Sequence, residues 1–227
     1  RLPPPSGVGV RMSASGGPGG PDPVAGAKAG FFGLLARVFG AKPTGELIRG
    51  MRQPEMMEAL EAFGVSPAVD LRPGDEEEQA RALAVEYTRL FVGPGPHIAA
   101  YESVYVPGDG EAQPRLWGQE ATEVAAFYRE LGLELEEGQM PDHLSLELQA
   151  MAVMAQSQAD RLAACDEESA AVLAGMQEKF CREHLSRWAP EVCQEVQRQD
   201  GSGFYRGMAA LAAELIQVVC GEEDQVT

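Results

Sequence analysis

Apolar side chains recur at intervals of three and four residues along almost the whole chain after residue 28. The clearest stripe follows the acidic run at residues 75–78 and comprises Ala80, Leu83, Ala84, Tyr87, Leu90 and Phe91. This spacing is typical of one face of an α-helix, and acidic residues favour a helix N-terminus. Strand formers are scarce, whereas Ala, Leu, Glu and Gln are abundant, which also favours helix. The sequence therefore predicts an all-α, single-domain helical globule.

Prolines, glycines and capping residues divide this pattern into separate helices. Gly93 and Pro94 end the helix that carries Tyr87, because proline lacks an N–H donor and glycine favours helix ends. Asp166 is a typical N-cap residue and predicts a helix start, whereas Pro190 predicts a break. The predicted helices are residues 29–39, 44–62 with a kink at Pro54, 75–91, 117–132, 141–164, 167–189 and a last one from about 202.

The two ends of the chain differ in composition from this helical stretch. Residues 1–27 are crowded with Gly and Pro and carry few large apolar side chains. Such a segment cannot bury enough surface to order itself, so we expect a flexible N-terminal arm. The predicted organisation is therefore this arm, a helical domain at residues 28–221 and a short acidic tail at residues 222–227.

The net charge of −17 disfavours some partners and favours others. It argues against nucleic acid, because phosphate contacts need clustered Lys and Arg. An acidic surface attracts basic peptides, although the acidity can equally serve solubility alone. No apolar run approaches the ~20 residues of a membrane span, so we expect a soluble, cytoplasmic protein without membrane insertion.

The four cysteines are scattered over the helical part of the chain without the spacing of a disulfide framework: Cys165, Cys181, Cys193 and Cys220. Reduced thiols in a cytosol are the expected state. Cys181 and His184 have a spacing that permits metal ligation from one helix, but the paired ligand spacings of a zinc module are missing. We therefore expect buried thiols and a packed histidine, with no metal and no other cofactor.

A loop predicted at residues 94–115 holds two tyrosines and a glutamate within five residues. They are Tyr101, Glu102 and Tyr105, with Ser103 among them. Flat amphipathic faces with a charge between them suit a grip on an extended peptide that carries Arg or Lys. Alternatively, the tyrosines pin the loop onto the helices, and the two roles are compatible.

A second cluster, formed by Asp142, His143 and Glu147, lies at a predicted helix start. Asp142 follows a proline and is placed to cap the helix. His143 would then project from the helix N-terminus, where free N–H groups accept anions or peptide carbonyls. An Asp, a His and a Glu this close also suggest acid–base chemistry, but no nucleophile motif or Gly-rich phosphate loop accompanies them.

Together these motifs resemble the signature of the TorD/DmsD/NarJ family of redox-enzyme maturation chaperones. The resemblance extends from about residue 30 to residue 221 and includes the two clusters just described. The resemblance also includes the helix-ending motif Tyr87, Leu90, Phe91, Gly93 and Pro94, and the pair His184 and Trp188 late in the chain.

The resemblance implies a TorD-like helical fold and a chaperone without catalytic activity or a cofactor of its own. Such chaperones bind the catalytic subunit of a molybdenum or tungsten oxidoreductase, often through its twin-arginine signal peptide, and hold it in the cytoplasm for cofactor insertion. The implied partners are therefore the apo-molybdoenzyme subunit with its signal peptide, and proteins of molybdenum cofactor biosynthesis. The implied client-binding residues are Tyr101, Glu102, Ser103, Tyr105, Asp142, His143 and Glu147.

The chain departs from the family pattern at Ala99 and Ala100, where prolines often precede the tyrosine motif. This departure concerns client selection and leaves the fold expectation intact. Two alternatives stay open at this point. One is an accessory subunit retained in the mature oxidoreductase complex, and the other is a small hydrolase that uses Asp142, His143 and Glu147.

Overall fold

The computed structural model describes residues 23–62, 74–106 and 116–221. These residues form α-helices and two π-helical segments, with no β-strand among them, so the fold is all-α as predicted. The predicted arm up to residue 22, part of the predicted loop (107–115) and the acidic tail lie outside the described residues. The α-helices are α1 (Pro23–Gly40), α2 (Gly45–Met51), α3 (Pro54–Ala62), α4 (Glu76–Tyr87), α5 (Glu102–Tyr105), α6 (Gln119–Glu130), α7 (Leu144–Ala163), α8 (Glu167–Phe180), α9 (Ser186–Gln199) and α10 (Phe204–Gly221). The π-helical segments are Thr88–Val92 and Cys181–Leu185.

The centre of the fold is the pair α1 and α7, the two described elements that pack against each other most extensively. α1 buries a nearly continuous run that includes Phe31, Phe32, Leu34, Leu35, Val38 and Phe39. A helix that is apolar on all sides is typical of a core position. α8 packs against α7, and α10 packs against α9, so the remaining long helices cover this central pair.

The helix-ending motif joins α4 to α1 and α10. The Tyr87 hydroxyl donates to the Phe39 carbonyl at 3.2 Å. The Phe91 ring lies edge-on to Phe39 and to Tyr205, with centroid distances of 6.1 and 5.9 Å. Leu90 is fully buried. The residues Tyr87, Leu90 and Phe91 of this motif therefore pack against the core, in keeping with their helical spacing.

Some helix boundaries differ from the predicted ones. α1 begins at Pro23, six residues before the predicted start. The predicted helix 44–62 is two helices, because Arg52 caps α2 and α3 begins at Pro54. A proline disfavours helical backbone in the residue before it, which explains a break where a kink was expected. Asp166 caps α8 as predicted, with its carboxylate accepting the Ser169 N–H at 3.1 Å.

The predicted break at Pro190 is wrong, because this proline lies inside α9. A proline within a helix removes one backbone donor, and here the helix continues past it to Gln199. The π-helical segment Cys181–Leu185 lies directly before α9, and such segments change the helical register locally. Residues 167–199 therefore run as one continuous helical rod.

The predicted start of the helix at residues 117–132 is also wrong. α6 begins two residues later, at Gln119, and Trp117 adopts a left-handed φ of 62°. Its side chain is consequently 61% exposed, whereas the buried face of α6 is formed by Ala121, Val124, Phe127 and Tyr128. The chain leaves α6 at Gly132, whose φ of +68° is a conformation that glycine adopts without strain.

The expectation of four reduced thiols is wrong for one pair, since Cys181 and Cys220 form a disulfide across 39 residues. The helices bring these sulfurs together although nothing in their spacing along the chain indicates it. Cys165 and Cys193 are free, and Cys193 is buried, which raises the pKa of its thiol to about 12.

Alkylation of protein purified without reductant tests this pairing. In denaturant, iodoacetamide is expected to modify two cysteines, Cys165 and Cys193, and to modify all four after reduction. Peptide mapping by mass spectrometry identifies the modified positions. Modification of Cys181 and Cys220 before any reduction would contradict the disulfide.

Candidate functional site

The two sequence clusters lie side by side although about forty residues separate them. Tyr101 and His143 form an isolated antiparallel β-bridge. On either side of it, Leu144 N–H donates to the Ala100 carbonyl at 3.0 Å, and Glu102 N–H donates to the Asp142 carbonyl at 2.9 Å. The short helix α5 is thereby fastened to the chain that leads into α7.

Asp142 holds the start of α5 in place. Its side chain is fully buried, and Oδ2 accepts the backbone N–H of Ser103 at 3.0 Å. The prediction that Asp142 caps α7 is therefore wrong. The N-cap of α7 is His143, whose Nδ1 accepts the Ser145 N–H at 3.2 Å, because the extended backbone at His143 directs its ring back over the first turn.

The start of α5 and the chain that leads into α7 form a junction, joined by the bridge between Tyr101 and His143. The ring of His143 is neutral at this junction. Burial lowers its pKa to about 4, so the ring is uncharged near neutral pH. Its Nδ1 can therefore accept the hydrogen bond from the Ser145 N–H. The Tyr101 ring stands edge-on to it at a centroid distance of 4.9 Å. Tyr101 and His143 are both partly exposed as residues, so this edge of the site keeps some surface accessible to a partner.

His184 and Trp188, from the continuous helical rod at residues 167–199, contact α5 and α7. Nδ1 of His184 lies 2.9 Å from Glu102 Oε2, a distance at which its N–H donates to the carboxylate. Trp188 Nε1 donates to Glu147 Oε2 at 3.3 Å. The Tyr105 ring stacks on Trp188, with centroids 5.8 Å apart and an interplanar angle of 30°.

Three carboxylates are buried together in this region: Glu102, Asp142 and Glu147. Burial, reinforced by the charges of Glu102 and Asp142, raises the pKa of Glu147 well above its usual range. Burial and the same carboxylates raise the pKa of Tyr128, whose hydroxyl donates to the Pro141 carbonyl at 3.0 Å. These groups serve as internal hydrogen-bonding supports and are not accessible to solvent.

The arrangement does not support the hydrolase alternative. Asp142 and Glu147 are fully buried, and the Nδ1 of His143 is occupied by the start of α7. The hydroxyl of Ser145 lies 2.8 Å from that nitrogen, but this residue is buried too. Within the described part of the chain, no group of three or more His, Cys, Asp or Glu could hold a metal ion.

A cleft of about 510 Å³ opens beside this cluster, between α6 and the helical rod. His184 forms part of its wall and links it to Glu102. Glu120 of α6 is buried nearby, although a charged residue on an amphipathic helix is normally expected to face solvent. Sequence reasoning missed Glu120 for that reason, and no simple pattern would have found it.

None of the helices in the described ranges is both long and apolar enough to cross a membrane.

The chain is similar to several known proteins. The family model of the nitrate reductase delta subunit matches residues 45–194. The chain is 22% identical over 192 residues to the "Probable Tat proofreading chaperone DmsD" of Haemophilus influenzae, a match that covers 81% of this chain and 85% of that protein. A crystal structure from Archaeoglobus fulgidus, described as a "Putative Redox Enzyme Maturation Protein", matches with 18% identity and a TM-score of 0.46, over 88% of this chain and 94% of that one. The chain thus belongs to the nitrate reductase delta subunit family, and its resemblance to the TorD/DmsD/NarJ chaperones is confirmed.

Proposed function

We propose that this protein is a cytoplasmic maturation chaperone for the catalytic subunit of a molybdenum or tungsten oxidoreductase. It binds that subunit through its twin-arginine signal peptide and holds it for cofactor insertion before export or assembly, without catalysis or a cofactor of its own. Family membership supports the general role. The observation that carries the proposal is the junction at which the β-bridge between Tyr101 and His143 unites the two client-binding motifs.

The junction divides the client-binding residues into two groups. Tyr101, Tyr105 and His143 are partly exposed and are the residues that contact the client. The others are buried and hold those rings in place: Glu102, Ser103, Asp142 and Glu147. Aromatic rings fixed in this way suit a peptide, because they offer large contact areas at little cost in conformational entropy.

The charge of the chain suits the same client. A twin-arginine signal peptide combines a basic head with an apolar segment, and a net charge of −17 attracts such a head over a distance set by ionic strength. An affinity in the micromolar range, about 8 kcal/mol, is sufficient for a transient chaperone. Proteins of molybdenum cofactor biosynthesis are the further partners that this role implies.

The family description favours a second candidate, an accessory subunit retained in the mature enzyme, because it names a reductase subunit. Stoichiometry separates the two. A chaperone is expected with the immature catalytic subunit and not with the purified active oxidoreductase. An accessory subunit is expected at equal amounts in the active complex.

Substitution of Tyr101 tests the contact role. Tyr101→Ala is expected to weaken binding of a labelled twin-arginine signal peptide about tenfold, because the ring that packs on His143 is lost. Tyr101→Phe keeps the ring and is expected to stay within about threefold of the unsubstituted protein. Fluorescence anisotropy gives the dissociation constants.

Val85→Ala on α4 is a matched control, because Val85 is exposed and lies outside the junction. Circular dichroism checks that each variant keeps its helical content. Unchanged peptide affinity in a folded Tyr101→Ala protein would argue that the ring serves packing alone.

A further inference from the structure

The cleft beside the junction combines an apolar wall with a charged lining. Phe127 and Ala126 of α6 form the apolar part. The other lining residues are Glu123, Glu130, Lys179, Glu183, His184 and Arg187. Its volume of about 510 Å³ lies within the usual range for ligand sites.

Two buried carboxylates lie behind the lining of this cleft and have oxygens without hydrogen-bond partners. Among the described residues, neither Oε1 of Glu102 nor Oε2 of Glu120 accepts a hydrogen bond. Glu102 is fully buried and Glu120 is 4% exposed. The other oxygen of Glu102 is bonded to His184, a residue of the cleft lining, which places this carboxylate directly behind that wall.

Glu120 belongs to the same cluster of charges. It is buried and lies one helical turn before Glu123, a residue of the cleft lining. Its carboxylate interacts electrostatically with Glu102 and Arg187, and burial together with the charge of Glu102 raises its pKa. Oε1 of Glu102 is therefore near the end of the cleft that His184 and Arg187 line, and the Glu120 carboxylate interacts with the same charges.

Neither Arg187 nor Lys179, the two basic residues of the cleft lining, donates a hydrogen bond to these oxygens. Arg187 Nη1 lies 3.9 Å from Glu102 Oε1, beyond hydrogen-bond distance, and donates instead to the Glu183 carbonyl at 3.2 Å. Its side chain remains 44% exposed. Lys179 lies 4.0 Å from Glu183 in a pair that is exposed on both sides. A buried carboxylate oxygen without a donor is costly, so the cleft favours an additional donor that carries positive charge.

We propose that this cleft binds an arginine side chain of the client peptide, with its guanidinium group between Glu102 and Glu120 and its aliphatic part against Phe127. A guanidinium offers five N–H donors in one plane and bonds two carboxylates at once, which a compact ammonium cannot match. Its planar face also packs well on an aromatic ring. Glu102 belongs to α5, the same short helix that carries Tyr105, so a peptide that contacts the junction passes beside the cleft.

This inference rests on the proposed function, and chemically modified peptides test it with the intact protein. Three labelled versions of one twin-arginine signal peptide are compared by fluorescence anisotropy: the natural sequence, one with both arginines replaced by citrulline, and one with both replaced by lysine. Citrulline keeps the shape of arginine and removes its charge. The citrulline peptide is expected to bind at least tenfold more weakly, and the lysine peptide is expected to fall between the two.

A variant locates the effect in the cleft. Glu120→Gln is expected to weaken the arginine peptide about tenfold and to leave the citrulline peptide unchanged. Glu78→Gln removes the same charge from an exposed position on α4 and is expected to have little effect on either peptide. This control separates a local contact from the general acidity of the protein.

The outcomes distinguish this inference from the function on which it rests. Equal binding of the arginine and citrulline peptides would overturn the arginine site and leave signal-peptide binding intact. An equal loss for both peptides in Glu120→Gln, or the same loss in Glu78→Gln, would also overturn it. Failure of the folded, unsubstituted protein to bind any of the three peptides would contradict signal-peptide binding itself, and the arginine site with it.

Discussion

Asp142→Ala is expected to lower the free energy of unfolding by about 3 kcal/mol. The change removes the carboxylate that accepts the Ser103 N–H and leaves this buried donor without a partner. It also releases the start of α5 from the chain that precedes α7. Urea denaturation followed by circular dichroism measures the change.

Asp142→Asn is the matched variant. An asparagine keeps an oxygen at the position that accepts the Ser103 N–H and removes a negative charge that lies close to Glu147. We expect its free energy of unfolding to stay within about 1 kcal/mol of the unsubstituted protein. Equal stability of the alanine and asparagine variants, or a stable alanine variant that merely fails to bind peptide, would contradict the structural role of Asp142.

Stability is expected to fall between pH 6.5 and pH 4 by up to about 3 kcal/mol through His143 alone. Burial lowers the pKa of His143 from 6.5 to about 4 in the folded protein. As the pH drops through this window, the unfolded chain binds a proton at His143 before the folded protein does, so the free energy of unfolding decreases. His143→Asn keeps a good N-cap residue for α7 and removes the titration.

The measured quantity is the difference in unfolding free energy between the unsubstituted protein and His143→Asn at several pH values. Glu147 acts in the opposite direction, because its raised pKa makes stability fall as the pH rises above its ordinary value of 4.5. This contribution is present in both proteins and cancels in the difference. A difference that does not change between pH 7 and pH 4 would mean that His143 titrates normally in the folded state.

Local sequence patterns predicted the helices well where short-range rules decide the outcome. Tyr87 and Leu90 of the predicted stripe are buried, and Asp166 caps its helix through its own side chain. Where the surrounding helices determine whether a helix continues or where it begins, the same rules failed. Pro190 lies inside a helix that a π-helical segment precedes, and Trp117 lies just outside the helix to which its spacing assigned it.

The sequence predicted most residues of the candidate site but not the contacts between them. The bond between Asp142 and Ser103 spans 39 residues, and the one between His184 and Glu102 spans 82. No spacing rule predicts such pairs, because they depend on how the helices pack. The same reason explains why Glu120 was missed as a buried acid, and why Cys181 and Cys220 were expected to be separate thiols.

The structure changes the meaning of the two motifs. Their acidic residues were candidates for direct client contact, yet Glu102, Asp142 and Glu147 are buried and support the rings of Tyr101, Tyr105 and His143. We propose that these rings contact the client and that the buried acids hold the rings in position, with Glu102 in addition placed to bind a client arginine through its second oxygen. Substitution of the buried acids is therefore expected to affect stability first and peptide binding as a consequence.

The most direct test of the central claim is recovery of the client from the native host. The tagged protein is isolated from anaerobically grown cells, and the bound proteins are identified by mass spectrometry and assayed for molybdenum cofactor. Tyr101→Ala serves as the comparison. We predict one oxidoreductase catalytic subunit, without cofactor and with its twin-arginine signal peptide uncleaved, in reduced amount with the variant. Recovery of the mature, cofactor-loaded enzyme alone, or of no oxidoreductase, would contradict the chaperone account.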